Sequence, residues 1–339
     1  MAVHDVAYVE LYTSKKKSVV DYFVSSMGFR QTAESVGVDR SSALLQQGSV
    51  KLVVTTGPAT WAFLGTHGDG IADIALACDD VDQSAQAAMA AGAAVTGSTK
   101  DTRTVAGFGG VVHTLVSRSH GSDPFGGPDW TVLPEVSSGP VTGRIQLLDH
   151  IAVCVEGRSL AGYADFYGDA FGLSRYSSEY VDVGEHAMDS VVVRSATGRV
   201  TFTLVAPDEQ KGTGQLDAFL ERNSGPGVQH LAFLVESIVP AVHEFRGRGV
   251  EFLDVPDSYY DGLAERLPAL RAEIDVLRSA QVLADRDEWG DLLQLFSRSP
   301  HERNTLFYEL IQRRGSRGFG GGNIRALYEA VERDRLAAE

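Results

Sequence analysis

The chain has 339 residues, of which 43% are hydrophobic and 22% charged, a composition typical of a globular protein long enough for two domains. Its formal net charge of −15 argues against nucleic acids and anionic membranes as partners, because both require a basic surface. The first residues lack a basic stretch followed by an apolar one, and no apolar run approaches the roughly 18 residues that span a bilayer. These features predict a cytoplasmic protein.

The first part of the chain alternates between strand and helix patterns. Strands are predicted at 6–12, 42–46, 50–55, 70–77 and 111–117, and helices at 14–27 and 80–91. A segment rich in Gly, Pro and Ser follows at 119–143 and is typical of a linker. We therefore expect one domain at 1–135 and a second at 144–339.

The second part repeats the order of the first. Its strands are predicted at 150–155, 190–194, 200–205, 228–235, 292–297 and 305–312, with helices at 160–171 and 238–248. Matching the two parts by these landmarks gives a strand–helix–three-strand module that occurs four times, two per domain.

Two segments depart from the repeat. Residues 254–290 form an insert in which apolar residues at helical spacing predict one long helix at 259–280. After the last strand, the run Gly-Phe-Gly-Gly-Gly-Asn at 318–323 leads into a terminal helix at 323–336. A glycine-rich hinge before a helix suggests a mobile lid over a site. The alternative is a helix that closes an open barrel edge.

Three ionisable residues lie inside apolar, strand-like runs: His150, His230 and Glu309. Burying such residues is costly unless they have partners. Two histidines and one carboxylate are the ligands of the facial triad that binds non-haem Fe(II) and leaves open positions. A lone histidine in a strand is more often a satisfied core residue. However, the matching positions in the first domain hold Tyr8, Asp73 and Thr114, which cannot supply the same ligands. We therefore expect a metal site in the second domain.

Five motifs resemble the 4-hydroxyphenylpyruvate dioxygenase family. They are Leu-Asp-His-Ile-Ala at 148–152, Gly-Val-Gln-His-Leu-Ala at 227–232, Leu-Leu-Gln-Leu-Phe at 292–296, Leu-Phe-Tyr-Glu-Leu-Ile-Gln-Arg at 306–313 and the glycine run at 318–323. The resemblance spans nearly the whole chain. It implies an α+β vicinal-oxygen-chelate fold, in which four βαβββ modules form two half-open barrels and a C-terminal helix acts as a lid. It also implies Fe(II) as cofactor, O2 as co-substrate and an aryl α-keto acid as substrate.

The family that the chain resembles contains two activities on one substrate. The dioxygenase proper hydroxylates the ring of 4-hydroxyphenylpyruvate and yields homogentisate, whereas hydroxymandelate synthase hydroxylates the benzylic carbon. Ile324 stands where the dioxygenases carry Phe, and Thr203 lies in a more apolar strand than theirs. Both departures favour the synthase branch, which converts 4-hydroxyphenylpyruvate and O2 to 4-hydroxymandelate and CO2. The resemblance then places the product in the biosynthesis of hydroxyphenylglycine, a building block of peptide antibiotics.

The resemblance also implies a substrate pocket. Its polar positions are Ser190, Thr203, Gln215, Gln294 and Asn323, with Gln215 and Gln294 favoured as substrate partners because an amide both donates and accepts hydrogen bonds. Phe296 and Phe319 would form aromatic walls, and Ile324 would select the carbon that is hydroxylated. The competing interpretation of these residues is ordinary packing and hydrogen bonding within strands.

Other functions remain open at this point. Within the family, the alternative is the ring-hydroxylating dioxygenase. Outside it, proteins of the same fold bind small molecules without catalysis, and extradiol dioxygenases use a similar triad on catechols. A homodimer is a candidate assembly.

Overall fold

The computed structural model describes residues 3–118, 130–134 and 143–325. In these ranges the chain forms two mixed sheets, one from each part of the sequence. Within the same ranges, no helix has both the length and the apolar composition to cross a membrane. The chain leaves the first sheet after Val132 and enters the second at Ile145. The domain boundaries at 135 and 144 stay a prediction, since residues 135–142 lie outside the described ranges.

The first sheet joins two modules through their first strands. The first module comprises β1 (Val3–Tyr12), α1 (Lys16–Asp21, continued by a π-helical turn at Tyr22–Ser26), β2 (Arg30–Val36), β3 (Ser41–Gln47) and β4 (Val50–Thr56). After α2 (Trp61–His67), the second module comprises β5 (Gly70–Cys78), α3 (Val81–Ala90), β6 (Val95–Ser98), β7 (Thr102–Ala106) and β8 (Val112–Ser117); the short β9 (Thr131–Val132) pairs with β2. The strand order is β6-β7-β8-β5-β1-β4-β3-β2-β9.

The second sheet repeats this plan. Its first module comprises β10 (Ile145–Cys154), α4 (Leu160–Phe171), β11 (Ser174–Val183), β12 (His186–Arg194) and β13 (Thr201–Pro207). After α5 (Gln215–Asn223), its second module comprises β14 (Gly227–Val235), α6 (Ile238–Gly247), β15 (Leu283–Arg286), β16 (Asp291–Phe296) and β17 (Phe307–Arg314). The strand order is β11-β12-β13-β10-β14-β17-β16-β15, so β11 and β15 are the edges. The four modules and the α+β class are confirmed.

Strand register makes the repeat exact at the centre of each sheet. In the first sheet, Tyr8 pairs with Ala75 and Glu10 with Asp73 across β1 and β5. In the second, His150 pairs with Ala232 and Ala152 with His230 across β10 and β14. Both pairs of strands carry their register shifts at the matching places. The positions equivalent to the proposed ligands are therefore the residues that the sequence comparison selected.

The prediction of one helix at 259–280 is wrong. The insert instead contains α7 (Asp257–Asp261), α8 (Leu263–Arg266), a 3-10 segment (Pro268–Glu273) and α9 (Ile274–Ala280). Pro268 ends α8 because proline lacks a backbone N–H and disfavours helical backbone in the residue before it; Leu267 has φ −128° and ψ 73°. The apolar residues of the insert do face the core, since Leu263, Leu270 and Leu277 are all buried.

A shared apolar core joins the two sheets. Tyr167 of α4 stacks on Phe202 with ring centroids 4.6 Å apart, and its hydroxyl is 2.9 Å from Nε2 of His113 in β8. On the other side, Tyr308 of β17 contacts Phe23 at 5.1 Å. These contacts place the modules back to back and leave a concave face on each sheet.

The concave face of the first sheet holds a cavity of about 1140 Å³. Asp73 lies in its wall and accepts hydrogen bonds from Thr114 Oγ1 at 2.6 Å and from the Tyr8 hydroxyl at 3.3 Å. The counterparts of the proposed ligands therefore bond to one another. Burial, together with the nearby charge of Glu10, raises the pKa of Asp73 to about 7.

This raised pKa predicts a pH-dependent stability. An unfolded aspartate has a pKa of about 3.9, so the folded chain retains the proton up to about pH 7, and stability falls as the pH rises through that window. We expect urea denaturation to give a free energy of unfolding about 1 kcal/mol lower at pH 8 than at pH 6 from this group. Asp73→Asn should remove that difference.

Asp169→Asn, a change at an exposed carboxylate, is the matched control and should leave the pH dependence as in the wild type. Parallel pH profiles for the wild type and Asp73→Asn would contradict the prediction.

Candidate metal centre and active site

The three proposed ligands lie on three neighbouring strands at the centre of the second sheet. His150 is on β10, His230 on β14 and Glu309 on β17. Ala232 pairs with His150 on one side and with Glu309 on the other. His230 precedes Ala232 by two residues, so it points to the same face of the sheet. The small side chain of Ala232 leaves space between the three ligands.

Their donor atoms converge on one point. Nε2 of His150 lies 3.3 Å from Oε2 of Glu309, and Nε2 of His230 lies 3.2 Å from the same oxygen. The two Nε2 atoms are 3.4 Å apart. Neighbouring ligands of an ion with bonds of about 2.1 Å lie about 3 Å apart, so this spacing suits a metal ion. Together the three residues form a group that can hold such an ion.

Each histidine is oriented by the residue that precedes it. Nδ1 of His150 lies 2.9 Å from Oδ1 of Asp149, and Nδ1 of His230 lies 3.3 Å from Oε1 of Gln229. Both preceding residues fall at a register shift in the β10–β14 pair. Such a bulge changes the direction of a side chain relative to regular alternation. Because a carboxylate only accepts hydrogen bonds, Nδ1 of His150 carries a proton, so Nε2 is the nitrogen that can bind a metal ion, which would displace any proton there.

The electrostatics of the site follow from these contacts. Burial opposes a charge on His150, but its hydrogen bonds to Asp149 and Glu309 outweigh burial and raise its pKa to about 9. Burial lowers the pKa of His230. Burial would raise the pKa of Glu309, yet the two histidines hold it below its usual value. Glu309 is thus an anion that is 2% exposed and faces two imidazoles.

Aromatic rings flank the three ligands. Phe319 meets the ring of His150 edge-on at 5.2 Å, and Phe296 meets His230 edge-on at 6.0 Å. Phe307, which the sequence analysis did not select, stacks on His230 at 4.9 Å. The predicted aromatic residues therefore lie beside the candidate metal centre.

The predicted polar residues have different environments. Ser190 donates to the backbone oxygen of Glu179 at 3.0 Å. Thr203 is 8% exposed, lies opposite Ala152, and its Oγ1 has no hydrogen-bond partner among the described residues. Gln294 accepts a hydrogen bond from Nδ2 of Asn323 at 3.1 Å.

The other predicted positions are Asn323, Gln215 and Ile324, and they differ in burial and hydrogen bonding. Asn323 uses both ends of its amide within the protein, since its Oδ1 accepts from the Tyr259 hydroxyl at 2.7 Å. Gln215 is exposed at the start of α5 and makes no hydrogen bond to the three ligands in the described part of the chain. Ile324 is half-buried in a helix that begins at residue 321, and the rest of the predicted terminal helix, from 326 onward, lies outside the described residues.

The glycine loop, residues 316–322, spans the gap between the edge strands of the second sheet. A Cβ on Gly321 would lie 1.8 Å from the carboxylate of Glu179 on β11, and one on Gly322 would lie 2.6 Å from that of Asp285 on β15. The carboxylate of Asp287 accepts from the backbone N of Gly318 at 2.7 Å. The backbone of the loop therefore lies against the carboxylates of both edge strands. In this structure the segment covers the open barrel edge, as the alternative to a mobile lid predicted, and lid motion stays a prediction.

Two charged residues beside the ligands were missed by the sequence analysis. Arg313 donates from Nε and Nη2 to the two carboxylate oxygens of Asp149, at 2.7 Å each. Regular alternation would direct Asp149 away from His150, and only the bulge brings the two together. One available signal was the position of Arg313, four residues after Glu309 on one strand and hence on the same face.

Comparisons with known proteins agree with this geometry. Residues 147–290 match the model of the Glyoxalase/Bleomycin resistance protein/Dioxygenase superfamily. The chain is 33% identical to 4-hydroxyphenylpyruvate dioxygenase from Neurospora crassa over 80% of this chain and 71% of that protein. It is 29% identical to the enzyme of that name from Yarrowia lipolytica, over 97% of this chain and 91% of that protein.

A solved structure is also similar. It is a triple mutant of 4-hydroxymandelate synthase from Streptomyces coelicolor, with 46% sequence identity, a TM-score of 0.89, and coverage of 99% of this chain and 100% of that chain. The fold is that of the vicinal-oxygen-chelate class, and the relatives that share it include dioxygenases. Within that class, the chain belongs to the 4-hydroxyphenylpyruvate dioxygenase family.

Removal of one proposed ligand tests the metal centre. His230→Ala should lower the affinity for Fe(II) by more than the ~10–100-fold expected when only the partner of a ligand is lost. Metal content after anaerobic loading and dialysis measures this change. His243→Ala, at an exposed position on α6, should bind metal like the wild type. Equal metal content in both variants would instead favour a non-catalytic binding protein.

Proposed function

We propose that the chain is a non-haem Fe(II) dioxygenase that converts 4-hydroxyphenylpyruvate and O2 to 4-hydroxymandelate and CO2. The observation that carries this proposal is the convergence of His150, His230 and Glu309 in a chain 46% identical, over its whole length, to a 4-hydroxymandelate synthase. The identity to the ring-hydroxylating dioxygenases from fungi is lower, at 33% and 29%. Cytoplasmic localisation and a role in antibiotic biosynthesis remain expectations.

The three ligands would hold the iron on one side. Two neutral imidazoles and a carboxylate suit Fe(II) and leave the opposite positions open. Iron, when bound there, supplies a Lewis acid for the α-keto acid and a redox centre for O2. Loss of CO2 from the substrate provides two of the four electrons that O2 accepts, and oxidation of the benzylic C–H bond provides the other two. One atom of O2 enters the new carboxylate and the other forms the new hydroxyl.

The surrounding residues would bind and orient the substrate. Phe296 and Phe319 offer apolar surfaces on either side of the ligands, which suits an aryl ring. Thr203 offers a buried hydroxyl that has no protein partner in the described chain. Leaving such a group unsatisfied costs about 1–3 kcal/mol, and a hydrogen bond to the substrate would remove that cost.

The choice between ring and benzylic carbon depends on how the ring is held, because small displacements decide which carbon is within reach. Ile324 follows the glycine loop, and its backbone N donates to Gly320 O at 3.2 Å. A branched aliphatic side chain gives the ring less stacking surface than a phenylalanine would. The second candidate function is ring hydroxylation to homogentisate, which the names of the fungal relatives favour.

Product analysis tests the proposed reaction. Purified protein loaded with Fe(II) should convert 4-hydroxyphenylpyruvate mainly to 4-hydroxymandelate, as identified by liquid chromatography with mass spectrometry. Homogentisate as the main product would establish the second candidate instead.

Ile324→Phe tests the basis of selectivity. We expect the product mixture to shift toward homogentisate, and a change of about 1.4 kcal/mol between the two barriers would alter the product ratio about tenfold. Ile324→Leu keeps an aliphatic residue and should retain the wild-type product. If Ile324→Phe still forms only 4-hydroxymandelate, Ile324 does not control the outcome.

Thr203→Val tests the free hydroxyl. Loss of one hydrogen bond to the substrate should lower kcat/KM about tenfold, from a net contribution of about 1–1.5 kcal/mol, while metal content stays unchanged. Thr32→Val, which removes a buried hydroxyl that donates to Leu44 O at 3.5 Å in the first sheet, controls for the general effect of such a change on folding. Equal kcat/KM in the two variants would exclude this role for Thr203.

A further inference from the structure

Arg313 contacts two parts of the molecule that are far apart in sequence. Its Nε and Nη2 donate to the two carboxylate oxygens of Asp149 at 2.7 Å each. Its Nη1 donates to the backbone oxygen of Gly318 in the glycine loop at 2.6 Å. The side chain is 18% exposed, so these bonds form where water competes little. One guanidinium thus connects Asp149 to the glycine loop.

Asp149 links Arg313 to His150 through hydrogen bonds to both residues. Its Oδ1 accepts a hydrogen bond from Nδ1 of His150 at 2.9 Å and one from Nη2 of Arg313. Rotation of the Asp149 carboxylate would therefore disturb the imidazole and the guanidinium together. The orientation of His150 depends on the position of Arg313.

Phe319, which belongs to the glycine loop, contacts both Arg313 and His150. The guanidinium of Arg313 lies 5.1 Å from the centre of the Phe319 ring, a cation–π distance. The same ring meets His150 edge-on at 5.2 Å. The glycine loop therefore touches His150 directly through Phe319 and indirectly through Arg313 and Asp149.

Among the residues that the structure describes, His230 has no equivalent connection to the glycine loop. Its Nδ1 faces the neutral amide of Gln229 at 3.3 Å, and in the described residues Gln229 makes no hydrogen bond to the glycine loop. The asymmetry singles out His150 as the ligand that is sensitive to the position of the loop.

We infer that Arg313 is a positioning residue that couples the placement of the glycine loop to the orientation of His150. The inference rests on the proposed function, because His150 matters to the reaction as a metal ligand. It implies reciprocity: a change on the side of His150 must loosen the loop, and a change in the loop must alter the surroundings of the metal.

Two readouts test the coupling in the full chain. Hydrogen exchange of a peptide containing residues 317 and 318, measured without metal, reports the loop, because both backbone N–H groups bond to Asp287. The visible absorption spectrum of Co(II)-loaded protein reports the ligand geometry. Asp149→Asn should speed that exchange several-fold, and Phe319→Leu should shift the Co(II) bands.

Arg313→Lys keeps the charge but cannot hold both Asp149 oxygens and Gly318 at once, so it should change both readouts. Arg314→Lys is the matched control, since Arg314 bonds to Glu273 at the surface and should change neither. Thermal melting verifies that each variant is folded.

The inference is overturned if Arg313→Lys alters one readout without the other, or if Asp149→Asn leaves loop exchange unchanged. Failure of the wild-type chain to take up Co(II) or Fe(II) would instead refute the proposed function. In that case the exchange measurements, which need no metal, still decide whether Asp149 and Arg313 hold the loop.

Discussion

The register of β10, β14 and β17 is the constraint on which the site depends. It aligns His150, Ala232 and Glu309 in one row across the sheet, with His230 on the same face. A shift of one residue in any of these strands would turn a ligand to the opposite face. The buried carboxylate of Glu309 would then lose the imidazoles that stabilise its charge, and an unpaired buried charge is far more costly than a lost contact.

The β-bulges direct side chains to positions that regular strand alternation would not allow. Regular alternation would separate Asp149 from His150, but the register shift brings them within hydrogen-bonding distance. Arg313 then neutralises Asp149 and reaches the glycine loop. The same device occurs in the first sheet at matching positions, where it supports the hydrogen-bonded group around Asp73. The second sheet thus carries a candidate metal centre, whereas at the matching positions of the first sheet the polar residues hydrogen-bond to one another.

Much of the fold was predictable from periodicity, since α4 and the central strands have clear apolar patterns. The predictions missed β2, β6, β7, β9 and β11, whose side chains are mostly exposed or half-buried, and β15, which lies in the insert. They also merged α7, α8 and α9 into one helix, because apolar spacing continues across Gly262 and Pro268. In each case packing against neighbouring elements decided the backbone, and a local pattern does not record such packing.

The sequence by itself determined the repeat, the family and the three candidate ligands, because residue type and order carry that information without coordinates. Only the tertiary structure decided that Asp149 and Arg313 support His150 and that the glycine loop closes the barrel edge. Asp149 and Arg313 lie 164 positions apart in the chain, and a bulge reverses the expected direction of one of them. Contacts of this kind follow from strand register and close backbone approach, which exist only once the sheet has formed.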